Sequence, residues 1–361
     1  MKKEEYILPA LFILAPFLIL ARGYIWHGQQ IGLMVIFLVI LATMIENKLA
    51  KTFLFYVAVW QAYLFYRALI NPSATGQALN GFQQVLFMFA GAIIYLKASR
   101  SKLHMSLFYN IICIGALIQT SIALLQKFTG IDLVVIGLSL IAESRSSIGD
   151  RALVGMLGNP NYLAAFLAIS LPFFFRGKIK SFLPQWWWGI IPVSVGLILS
   201  MTSAAVIPAL IGCGIFIFLR YRPDWKNTCT FITCLLFAAF YYTVFYDNSS
   251  VLNNERFGLW KEVFNQVITS PLGFASGIGP AAKWAHPYPM HSEWVTLFHQ
   301  FGFLGLVIAG GFIFTIPRKN IYLLSAFVIA IINMAGNAAL HIPVTAFLIC
   351  MIAGLMERGN G

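Results

Sequence analysis

This sequence predicts an all-α integral membrane protein of about twelve transmembrane helices, with a large outer loop between the ninth and tenth that contains short interfacial helices. Three observations carry the prediction. The 361 residues are 60% hydrophobic and only 10% charged, where a soluble domain has about 25% charged residues. Apolar stretches of about 17 to 20 residues, the length that spans a bilayer core, recur along the chain. One segment, Asn253 to Gly305, breaks this monotony. It holds His286, His291 and His299 together with Arg256, Lys261 and Lys283. Prolines and glycines crowd between Pro271 and Pro280 and break any continuous helix there.

The apolar stretches place helices at Tyr6–Ala21, Ile31–Ile45, Thr52–Ile70, Phe82–Leu96, His104–Leu125, Tyr162–Phe175, Trp186–Ser200, Ala204–Leu219, Thr228–Tyr246, Ser292–Ile316, Ile321–Met334 and Ala338–Met356. No internal repeat is evident, and residues 1–361 read as a single polytopic domain. The first stretch follows Met1-Lys2-Lys3-Glu4-Glu5 and has no small-residue cleavage site before a soluble domain, so it reads as a retained helix. All five cysteines fall in apolar runs, which predicts neither a disulfide framework nor a metal site.

An even number of spans puts both termini on one side. The termini and the loops on their side hold 16 of the 24 lysines and arginines, and the opposite side holds 8. Lys and Arg concentrate on the cytoplasmic side of a membrane. The expected location is therefore a bacterial cytoplasmic (inner) membrane, with several spans and both termini in the cytoplasm. The same bias explains most of the net charge of +12. Nucleic acid is not an expected partner, because no basic stripe stands clear of the apolar segments. Membrane lipids are.

The outer cations are unevenly spread. Arg145, Arg151, Arg256, Lys261 and Lys283 lie in the two long outer loops, 126–161 and 247–291, which together form the predicted active site. Cations kept there oppose the topological bias and suit an anionic ligand. Solvated loop charges or contacts to anionic headgroups are the plainer alternative. Gly158-Asn159-Pro160-Asn161 reads as a helix start, with Asn159 as cap and Pro160 in the first turn. Arg151 precedes it, and a helix N-terminus beside an arginine favours phosphate. In the second loop, Asn253 or Asn254 would cap a helix from about Glu255 to Ile268. Its face of Phe257, Trp260, Phe264, Val267 and Ile268 would rest in the membrane interface, with Arg256 at headgroup depth. The Ser270–Pro280 run reads as a flexible loop whose amides could also meet an anion. Finally His286-Pro287-Tyr288-Pro289-Met290-His291-Ser292-Glu293-Trp294 leads into a long helix. His291 stands at its start and Glu293 in its first turn. An ordinary histidine titrates near neutrality and serves as a general base; Glu293 is the rival base.

Three segments resemble the O-antigen ligase/polymerase superfamily of bacterial membrane glycosyltransferases. The first is Gly158-Asn159-Pro160-Asn161 at a helix start. The second is Arg256 and Trp260, followed by Pro271-Leu272-Gly273 and Gly277-Ile278-Gly279. The third is His291-Ser292-Glu293-Trp294 through Gly302-Phe303-Leu304-Gly305-Leu306. The resemblance spans Arg151 to Leu306. It implies transfer of a glycan from an undecaprenyl-diphosphate carrier to a lipid A-core sugar, outside the cytoplasmic membrane, with no cofactor and no metal. Polymerisation of repeat units, with another glycan as acceptor, is the alternative within the superfamily. By the same resemblance His291 is catalytic, with Glu293 beside it, and Arg256 binds the donor diphosphate. Asn159, Asn161 and Trp260 support the site. One departure stands out: where many members carry Ser-Arg-Gly at a helix end, this chain has Ser203-Ala204-Ala205. Arg151 or Lys283 would then supply the missing charge. A membrane transporter or flippase is the more distant alternative. It would use polar groups such as Gln61, Asn110, Gln119, Asn333 and Asn337, but these are uncharged and scattered, whereas transport sites favour ionisable groups and paired halves.

Overall fold

The computed structural model describes residues 91, 93–96, 98–100, 105–129, 131–136, 139–144, 153, 155–157, 160–175, 186–200, 203–221, 228–229, 232–233, 236–237, 250–278, 292–315, 320–336 and 343–358. Nine helices and one hairpin carry the argument below. In chain order they are α1 (Met105–Thr129), β1 (Ile131–Ile136), β2 (Ser139–Ser144), α2 (Pro160–Phe174), α3 (Ile190–Leu199), α4 (Ser203–Tyr221), α5 (Ser250–Ile268), α6 (Pro271–Ser276), α7 (Glu293–Thr315), α8 (Ile321–Gly336) and α9 (Pro343–Glu357). Single 3-10 turns at Gly155–Leu157 and Trp186–Gly189 precede α2 and α3. The first three predicted spans, and most of the fourth and the ninth, lie outside the described residues.

The helical prediction holds for what is described, with one addition. The loop expected after α1 contains an antiparallel hairpin, β1 to β2, with Ile131 opposite Ser144 and Ile136 opposite Ser139. Loop 126–161 is therefore shorter as a loop than expected, because α1 also runs on to Thr129.

Among the described residues two helices, α1 and α7, are long and apolar enough to cross a membrane, and they give the chain a membrane-protein character. Their surroundings differ. Half of the apolar window of α1 is buried inside the protein, but only 17% of that of α7. Phe303, Leu304, Val307, Ile308, Phe312 and Phe314 of α7 are all exposed.

The core forms around α2, in which every residue from Leu163 to Phe174 is buried. A helix apolar on all sides belongs at the centre of its fold. Helices α1, α3, α4, α8 and α9 surround it.

Helix ends sort into two poles. At the first, the start of α1 meets the ends of α2 and α4 and the start of α8. Tyr109 stacks on Phe173 with ring centroids 5.1 Å apart, and Phe216 packs on Tyr322 at 5.2 Å. Asn320 donates to the Tyr109 hydroxyl at 2.8 Å and accepts the amides of Tyr322 and Leu323 at the start of α8. Arg220 in the last turn of α4 donates to the Tyr322 hydroxyl at 2.7 Å. At the second pole, Gln126 near the end of α1 donates to the Gly155 carbonyl at 3.2 Å. The Leu153 amide donates to Leu199 at the end of α3 at 3.2 Å. The alternation of poles is that of an up-and-down bundle, and the second pole carries the site.

Candidate functional site

The second pole gathers two of the three motif segments. Helix α2 begins at Pro160, as its sequence predicts; proline suits a first turn because its missing N–H would have no helical partner there. Asn161 and Tyr162 follow. Helix α7 begins at Glu293. Ser292 caps it: its hydroxyl accepts the Val295 amide at 3.4 Å, and its carbonyl accepts the Thr296 amide at 3.0 Å. Glu293 is 2% exposed. Tyr162 of α2 and Trp294 of α7 both pack against the main core. Trp294 also donates from Nε1 to the Ile331 carbonyl of α8 at 3.3 Å. A negative charge at a helix N-terminus is favoured by the helix dipole, so the first turn of α7 is a stable mount for Glu293.

The second motif segment lies along α7. Helix α5 begins at Ser250, so Asn253 and Asn254 fall inside it and neither caps it, as the sequence predicts they would. The face that packs on α7 lies beside the one predicted to rest in the membrane interface and shares Val267 with it. Leu259, Val263 and Val267 are buried, whereas Phe264 and Ile268 are about half exposed, at 45% and 52%. Val263 and Val267 form a small core with Val295 and Phe298 of α7, and Trp260 and Leu306 pack against it. The stripe at four-residue spacing thus turns toward α7, and the larger residues are left at its edge. Trp260 is half-buried there as a packing residue.

The predicted flexible loop after α5 contains a short helix, α6. Ser270 caps it, accepting the Gly273 amide at 2.9 Å. Beyond it the backbone docks on α7, where the Ile278 amide donates to the His299 carbonyl at 2.9 Å. Helix α7 is broken at this point: Gly302 has φ 62° and ψ −158°. The predicted continuous span is therefore two helical segments joined at a kink. His299 is buried beside it.

His291, Arg151, Lys283 and Asn159 lie outside the described residues. Arg256 lies within α5, where the helix is described but not that side chain. Ala204 opens α4 in the same way, followed by a fully buried Ala205. Among the described residues no group of three or more His, Cys, Asp or Glu side chains could hold a metal ion. Sequence reasoning did not single out Tyr162, which follows Asn161 at the start of α2 and packs against the main core. Gln119 and Gln126, both buried, serve the second pole: Gln126 holds Gly155, and Gln119 lies beside the same residue.

No known protein-family model matches the chain, and no curated protein matches it.

Proposed function

We propose that the protein is a glycosyltransferase of the O-antigen ligase type, working on the outer face of a bacterial cytoplasmic membrane. It would transfer a glycan from undecaprenyl diphosphate to a lipid A-core sugar. The observation that supports this best is the convergence of separate motif segments. Tyr162, next to Asn161 at the start of α2, and Trp294, next to Glu293 at the start of α7, pack against the same core, and α5, which carries Arg256, packs along the same α7.

In this proposal the acceptor hydroxyl loses its proton to His291 as its oxygen bonds to the anomeric carbon of the donor. The bond from that carbon to the diphosphate oxygen breaks, and undecaprenyl diphosphate leaves with the bonding electrons. Diphosphate is a good leaving group, so fixed positive charge matters more than an acid. Arg256 supplies that charge, and its planar fork matches two phosphate oxygens. Arg151, upstream of the α2 start, takes the place of the arginine that Ala204 replaces, with Lys283 as the other source. Glu293, buried two residues after His291, favours a proton arriving on the imidazole. The twelve-span topology with cytoplasmic termini belongs to the same proposal. It turns the second pole outward.

The test is the surface-glycan gel pattern of a deletion strain. Loss of all glycan from lipid A-core is the ligase result. A single repeat left on the acceptor identifies a polymerase instead. An unchanged pattern contradicts the proposal.

A further inference from the structure

We propose that Gly277 and Gly302 form a backbone lock. It fixes the first half of α7, which starts just after His291 with Glu293, relative to α5, which carries Arg256. The inference rests on the functional reading above and assigns its glycines a positioning task.

Both glycines occupy the same rare backbone region. Gly277 has φ 71° and ψ −172°; Gly302 has φ 62° and ψ −158°. Only glycine adopts that region readily, and other residues are strained there. The two face each other. A Cβ on Gly277 would stand 2.5 Å from the Phe301 nitrogen and 2.6 Å from the Gln300 oxygen. A Cβ on Gly302 would stand 2.7 Å from both the carbonyl carbon and the oxygen of Ala275. These neighbours are backbone atoms, which do not move aside as a flexible side chain would. Two main chains therefore touch with nothing between them.

The kink makes the contact possible. An unbroken helix offers the His299 carbonyl to the amide four residues on. The break at Gly302 interrupts that ladder, and the Ile278 amide bonds the His299 carbonyl instead. Ring contacts close the joint: Phe274 stacks on Phe303 with centroids 5.7 Å apart and planes 10° apart. The smaller core of Val263, Val267, Val295 and Phe298 continues it toward the start of α7. Gly258, Gly310 and Gly311 do no such work: a Cβ on any of them would meet nothing within 4 Å.

The consequence is a split in kinetics. Donor binding depends on α5, whereas turnover depends on where the start of α7 stands relative to it. A displacement of about 1 Å in a reacting geometry costs about 10²-fold in rate.

The experiment uses the full chain with its native cysteines replaced, reconstituted in lipid. Phe274→Cys with Phe303→Cys is exposed to a short bis-methanethiosulfonate reagent. Glycan transfer from undecaprenyl-diphosphate-linked oligosaccharide is measured separately, in the cysteine-replaced parent and its glycine variants. The pair should bridge in the parent background and with Gly310→Ala, and should fail to bridge with Gly302→Ala or Gly277→Ala. Gly302→Ala should lose about 10²-fold in kcat at an unchanged donor KM, while Gly310→Ala stays near the parent. If Gly302→Ala does not fold, Ile278→Pro removes only the amide that bonds His299 and should show the same split. Failure of the parent pair to bridge overturns the lock. Turnover of Gly302→Ala, or of Ile278→Pro where it stands in, within a few-fold of the parent overturns the positioning task. If the parent transfers no glycan, the functional reading and the positioning task fall together, and the bridging result still decides the lock on its own.

Discussion

In the proposed mechanism Glu293 tunes His291. It is buried and sits in the first turn of α7. A nearby carboxylate holds a proton on an imidazole more tightly. Removing its charge should therefore let His291 stay in its basic form to lower pH. The acid limb of the activity profile should move to lower pH in Glu293→Gln, with His291 still in place. A profile that does not move places Glu293 outside the proton path. Arg256 makes a second residue-scale prediction. Arg256→Ala should lose a charge-assisted hydrogen bond worth about 1.5 to 3 kcal/mol, read as weaker donor binding in a titration. Arg256→Lys should recover only part of it, because an ammonium cannot fork across two oxygens. Equal donor affinity in parent and Arg256→Ala removes Arg256 from the site. At this scale the sequence was informative about the starts of α2 and α7. Proline and serine in a first turn or a cap carry their own local physics. It was silent on Tyr162 and Trp294 packing against one core, since nothing local in either segment encodes a contact so distant along the chain.

Among the elements, α5 and α7 behave as a pair. Phe298 is 3% exposed and lies between them, with Phe264 at 4.9 Å and Phe274 at 6.1 Å between ring centroids. Phe298→Ala should destabilise by about 3 to 5 kcal/mol, seen as a lower thermal midpoint. Hydrogen exchange should rise first in α5 and α6, while α2 stays protected. Equal acceleration in α2 would show that the pair does not open separately. The side of α5 that faces α7 was not legible for a physical reason. Its apolar residues occur on more than one side, and periodicity assigns Phe257, Trp260, Phe264, Val267 and Ile268 to the membrane interface. Packing against α7 uses Val263 together with Val267. The kink at Gly302 was illegible for a similar reason: a glycine inside an apolar run looks like any other position of a span until a second backbone is found against it.

For the whole molecule, the two poles and the charge bias make one topological prediction. Ser276 is exposed on the α6 segment beside α7, and Thr315 is exposed at the far end of α7. In a chain whose native cysteines are replaced, Ser276→Cys should react with a membrane-impermeant thiol reagent in intact spheroplasts, and Thr315→Cys only after lysis. The reverse pattern would turn the site inward and contradict the outer-face assignment. The helical, membrane-type architecture was legible because burial in lipid demands long apolar runs. The hairpin from Ile131 to Ser144 was not, because its residues lie in a loop that hydropathy alone reads as irregular. The central claim is that this second pole transfers a glycan from a diphosphate carrier with His291 as base. Its most direct test is transfer by the purified chain in proteoliposomes, with undecaprenyl-diphosphate-linked oligosaccharide as donor and lipid A-core as acceptor. The account predicts glycosylated acceptor from the parent and a loss of about 10²- to 10⁴-fold in turnover in His291→Ala, with donor binding retained. Transfer by His291→Ala within a few-fold of the parent, or none by the parent, would contradict it.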